Sequence, residues 1–127
     1  MANITRIYYN KLVRDNIPDI IRAKRQECGI RTVTDIQEYQ QELFKKIEEE
    51  GKSLSMVRTK EEFLEECSDL LMVLDSIIEQ LGITGEELRE ARKENRMRKG
   101  AYKKQQFLQW SADVDYETDE TPQGIPL

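Results

Sequence analysis

The chain has 127 residues and a mass of 15.0 kDa, which fits one domain. It is 38% hydrophobic and 35% charged with mean hydropathy −0.74, polar but too apolar for a wholly disordered chain. The net charge of −5 sits in residues 111–127, which hold five acids and no base, so residues 1–110 sum to zero and a uniformly acidic protein is excluded.

Residues 4–15 read as extended or irregular, anchored by Ile4, Ile7 and Leu12. Asn16 and Pro18 open a first helix over about 17–28, with Gly29 as its stop. Asp35 opens a second, with Glu38 as its capping-box partner. Its apolar positions Ile36, Tyr39, Leu43, Phe44 and Ile47 recur at helical spacing, and it is expected to end near Gly51, leaving 51–58 as a connector.

Thr59 with Glu62 opens the third helix. Its stripe of Phe63, Cys67, Leu70, Leu74, Ile77, Ile78 and Leu81 is the strongest apolar pattern in the chain, and Gly82 closes it. Thr84 with Glu87 opens a fourth helix that runs to about Lys99 before Gly100. Residues 101–110 suggest a short packed extended segment, and 111–127 an acidic, flexible tail. The expected architecture is all-α, a single domain over 1–110. One long apolar helix has few partners within such a chain, so helices of a second subunit are expected to complete the bundle.

No apolar run approaches the roughly 18–20 residues of a membrane span, and MANITRIYYN lacks the apolar core of a signal peptide. Cys28 and Cys67 show no export or metal-binding pattern, so reduced thiols in a cytoplasmic protein are expected; Cys67 reads as a core residue. Histidine is absent, so catalysis has to rest on carboxylates, Lys, Arg or hydroxyls.

Two acidic clusters stand out, Glu48-Glu49-Glu50 and Glu65-Glu66 with Asp69. Glu50 follows Ile47 by three residues and Leu43 by seven, which places it on the apolar face. Glu66 lies within the next helix's stripe, Asp69 at its edge, and Glu49 beside it. Carboxylates facing a core are costly unless paired or bound to a cation. An antiparallel arrangement would set Glu50 opposite Glu66 and Asp69 as a hard-cation site suited to Mg²⁺. The bland alternative is a set of solvated acids, salt-bridged to Lys45, Lys46 or arginines.

Downstream, residues 89–104 hold eight bases against two acids, with Asn95 on the Leu88–Ala91–Tyr102 face. A basic helix end suits a polyphosphate ligand. A solvated basic face is the competing reading, and nucleic acid is not expected because the aromatics are not interleaved with the bases.

The segment YNKLVRDNIPDII at 9–21 resembles the opening of small MazG-like proteins, the all-α nucleoside triphosphate pyrophosphohydrolases. The acidic pair Glu49-Glu50, the EExxD of Glu65, Glu66 and Asp69, and the turn Lys99-Gly100-Ala101-Tyr102 follow in order, so the resemblance spans about 7–110. It implies a four-helix core assembled from subunits as a homodimer or homotetramer. It also implies Mg²⁺-dependent hydrolysis of unwanted or non-standard nucleotides to monophosphate and pyrophosphate, with Mn²⁺ as a substitute.

Carried over residue by residue, the metal ligands are Glu50, Glu66 and Asp69, and the catalytic carboxylates Glu49 and Glu50. Lys99, Lys11 and Arg14, in the matching segments, are expected phosphate contacts, joined by Asn95 and Arg96 of the basic helix end. For Lys11 and Arg14, a brace that pins the N-terminus to the bundle by ion pairs is an equal alternative. Two departures matter. Ser53 stands where the first motif carries a third acid, and Lys99 replaces an arginine, losing its bidentate fork. Two further readings follow: a weakened member that serves as a nucleotide-binding or protein-interaction module, and a phosphoribosyl-ATP pyrophosphohydrolase. The YNKLVRD opening favours the general house-cleaning group over the latter.

Overall fold

The computed structural model describes residues 5–112. Those residues form four helices and no strand: α1 (Ile17–Ala23), α2 (Ile36–Ser55), α3 (Lys60–Gln80) and α4 (Gly85–Lys99). Two compact units make up the chain, Met1–Ile83 with α1 to α3 and Thr84–Leu127 with α4.

Each long helix starts on a side-chain cap. Asp35 Oδ1 accepts from Gln37 N at 2.9 Å, Thr59 Oγ1 from Glu62 N at 3.1 Å, and Thr84 Oγ1 from Glu87 N at 3.1 Å. The return half of the capping box takes other partners. The Glu62 carboxylate accepts from Arg58 N at 2.9 Å, one residue before the cap, and Glu38 pairs with Arg31. At the other end of α3, Gly82 with φ +68° supplies the left-handed turn that ends the helix.

Three boundaries differ from the sequence reading. α1 stops at Ala23 rather than near 28, because it buries no residue and the chain turns at Arg25, φ +59°. α2 does not end at Gly51 but continues to Ser55. Glycine costs about 1 kcal/mol inside a helix, and here Ser53 and Leu54 stay half-buried, so the face beyond it still has a partner. The connector is therefore only 56–59. Residues 101–110 do not pack: Tyr102 is 97% and Trp110 71% exposed.

The first unit is an antiparallel helical hairpin. Gln80 at the end of α3 donates from Nε2 to the Ile36 carbonyl at the start of α2, 3.4 Å away. Between them Leu43, Val73 and Ile77 are buried, and Leu12, Tyr39 and Ile47 pack against that cluster. The buried seam of α3 thus runs through Glu66, Asp69, Val73 and Ile77, a narrower line than the apolar stripe. Phe63, Leu74 and Leu81, expected in the core, are exposed, as is Ile7, while Cys67 is half-buried. One partner helix covers only one line of side chains on α3. In the second unit α4 buries nothing, so the apolar side assigned to Asn95 faces solvent. The expected anchor Ile4 and most of the acidic tail, 113–127, lie outside the described residues.

Candidate metal centre

Following the hairpin seam from its apolar half toward the 56–59 turn, the side chains change from Leu, Val and Ile to acids. Leu43, Ile47 and Glu50 share one face of α2, as Ile77, Val73 and Asp69–Glu66 share one face of α3, because residues three and four apart on a helix are neighbours. Antiparallel pairing then brings the acids together. One carboxylate oxygen from each of Glu50, Glu66 and Asp69 lies within 4.8 Å of the other two, and all three residues are half-buried.

The donor set is three hard oxygens with no nitrogen or sulfur, which selects hard cations over zinc or copper.

The acids differ in electrostatic setting. Glu66 has no basic partner among the described residues. Loss of hydration and the nearby charges of Asp69, Glu50, Glu65 and Glu62 push its pKa up. Glu49 is the opposite case. It accepts from Lys11 Nζ at 2.5 Å and from Lys46 Nζ at 3.2 Å, and the Lys11 hydrogen bond chiefly holds its pKa down. Its carboxylate is therefore engaged, and a general-base role would require Lys11 to leave. Lys46 also reaches Glu50 at 3.4 Å. The i, i+3 and i, i+4 spacing of Lys46 to these acids was visible in the sequence as a pairing signal.

Lys11 and Arg14 both reach the acidic cluster. Arg14 Nη1 lies 3.2 Å from Asp69 Oδ1, and Lys11 joins Glu49 across 38 residues of chain. Leu12 between them rests on the apolar cluster, which fixes the segment in register. The brace is thus present, and its cations touch the same acids that the sequence singled out.

Ser53 sits one turn beyond Glu50 on α2. It lines an open groove with Met56, Val57, Glu61, Glu62, Glu65 and Glu66. Periodicity alone did not find this groove, because it depends on α2 continuing through Gly51. Asn95 and Arg96 belong to the second unit, where they line a separate shallow depression with Arg89, Arg92 and Lys93. Lys99 is the last residue of α4. The acidic centre is built from the first unit alone. Comparison with family models, with curated proteins and with solved structures finds nothing that matches this chain.

Proposed function

We propose that the protein is a MazG-like pyrophosphohydrolase that cleaves nucleoside triphosphates to monophosphate and pyrophosphate with Mg²⁺ or Mn²⁺. The observation that carries this reading is the convergence of Glu50, Glu66 and Asp69 oxygens within 4.8 Å on the facing sides of two helices. A like-charged trio this close is unfavourable by itself, and loss of hydration together with the charges of Asp69 and Glu50 raises the proton affinity of Glu66. A divalent cation held there would acidify water and offset charge developing on the phosphates.

The chain's own groups supply the rest. Hydrolysis breaks the anhydride between the α- and β-phosphates; the water oxygen ends on the monophosphate and pyrophosphate leaves. Glu50, Glu66 and Asp69 would hold the cation, which would supply the positive charge that draws the triphosphate to them. Glu49 lies beside the centre, but its Lys11 and Lys46 partners keep it charged and engaged, so it accepts a proton only once Lys11 moves away. Lys11 and Arg14 reach the acids at the rim of the centre and are proposed as phosphate contacts from there. Asn95, Arg96 and Lys99 are proposed as phosphate contacts on their chemistry alone.

A second copy of the chain is proposed to complete the bundle. Phe63, Leu64, Leu71 and Leu74 along α3 are 36–56% exposed, more apolar surface than a stable lone hairpin leaves in water. Two half-buried free cysteines, and no described helix long and apolar enough to cross a membrane, accord with a cytoplasmic setting.

Ser53 supports a second reading, a nucleotide-binding module of weak activity. It occupies the face one turn beyond Glu50 where a further carboxylate would complete the set, and a hydroxyl is a neutral, weaker ligand. The test is a panel of ribo- and deoxyribonucleoside triphosphates with Mg²⁺ or Mn²⁺, read by pyrophosphate release. Product that is lost in the Glu66→Ala, Asp69→Ala double variant supports the enzyme. Product that survives it refutes the assigned centre. No product from the wild type, with activity gained in Ser53→Glu, supports the binding module.

A further inference from the structure

Residues 5–16 contain no helix or strand, yet two of their side chains are committed to α2 and α3. Lys11 pairs with Glu49 and Arg14 with Asp69, across 38 and 55 residues of chain. Between them Leu12 packs on the Leu43–Val73–Ile77 cluster. The segment is therefore held by one apolar anchor and two ion pairs. The Arg14 and Asp69 side chains are 57% and 29% exposed, and an ion pair this wet is individually weak and open to competition from another cation.

Arg14 thus neutralises part of the same acidic cluster that a divalent cation would use. Each carboxylate has two oxygens, so the guanidinium is no steric plug; the competition is one of charge. We infer that residues 11–14 form a counter-ion strap. It balances the cluster when no cation is present, and a cation on Glu50, Glu66 and Asp69 loosens Arg14 from Asp69, leaving the guanidinium for the phosphates of a nucleotide. Leu12 remains the pivot. The strap rests on the cation reading proposed above and adds an order to it: cation first, triphosphate second.

Linkage makes the effect reciprocal: if the cation weakens the strap, the strap weakens cation binding by the same factor. An exposed pair corresponds to about a two- to fivefold change.

Two measurements on the full chain test it, with Mg²⁺ alone as the probe. Calorimetric titration compares the wild type with Arg14→Gln, and trypsin cleavage of the wild type after Arg14 is followed with and without Mg²⁺, using cleavage after Lys103 as the internal reference. The strap predicts about two- to fivefold tighter Mg²⁺ binding by Arg14→Gln and, in the wild type, faster relative cleavage after Arg14 when Mg²⁺ is added. Lys46→Gln should also tighten binding, because it removes a cation 3.4 Å from Glu50, yet keep the cleavage response, because Lys46 is not part of the strap. Unchanged or weaker binding by Arg14→Gln would overturn the proposal, since Arg14 would then merely position Asp69. So would cleavage indifferent to Mg²⁺. If the wild type binds no Mg²⁺, the cation reading fails and the strap with it. If it binds Mg²⁺ and only these responses are missing, the strap alone fails.

Discussion

The two halves of the α2–α3 seam use the same helical geometry for opposite ends. In one half Leu43, Val73 and Ile77 exclude water, and nothing further is needed to stabilise them. In the other half Glu50, Glu66 and Asp69 occupy equivalent positions on the same faces, at a cost that Lys11, Arg14 and Lys46 only partly offset. Stability is concentrated in the first half. The second half is a place where the fold tolerates instability, which is where binding chemistry is expected.

That contrast can be broken most severely at the apolar half. With only three buried hydrophobic residues among those described, Leu43→Ala should cost about 2–5 kcal/mol and leave the chain largely unfolded at 37 °C, seen as lost helical circular dichroism. The acidic half should respond in the other direction. Glu66→Gln removes a charge that is short of hydration and repelled by its neighbours, so in the presence of a chelator its melting temperature should exceed that of the wild type. A lower melting temperature would show that the Glu66 charge has a favourable partner.

Acid titration separates the two glutamates. Glu66 binds its proton more tightly folded than unfolded, so in chelator it favours the folded state at low pH. That contribution is lost as pH rises from the ordinary glutamate value through the raised one. Glu49 does the reverse. The stability from its lysine pairs is present above the ordinary value and lost as pH falls through the depressed one. Melting curves across this range should flatten on the upper side in Glu66→Gln and on the lower side in Glu49→Gln. The smallest effect is at the junction beyond the cluster. Gly51 is helical with open space where a Cβ would stand, so Gly51→Ala should stabilise by about 0.4–1 kcal/mol in urea denaturation.

Much of this was legible from local signals. Thr59 and Thr84 announced their helices because a hydroxyl followed three residues later by Glu is a cap with a geometric meaning. Glu50 and Glu66 could be placed on inward faces because a period of 3.6 residues relates them to Leu43, Ile47 and Leu70. Gly51 misled for a comparable reason. Its propensity penalty is local and small, whereas the half-buried face beyond it is a property of the packed hairpin. Likewise Phe63 and Leu81 read as core because a stripe shows which residues are apolar, and not how many of them a partner covers.

The sequence by itself determined the four helices, the sides of α2 and α3 that carry acids, and the concentration of negative charge at the C-terminal end. Periodicity and capping decide these within a few turns of chain. Only the tertiary structure decided that the seam of α3 is narrow and that three carboxylates meet. It also decided that Lys11 and Arg14 are held on Glu49 and Asp69 rather than in solvent. All of these are contacts between separate elements, the two ion pairs spanning 38 and 55 residues, and no helical period carries information from one element to another.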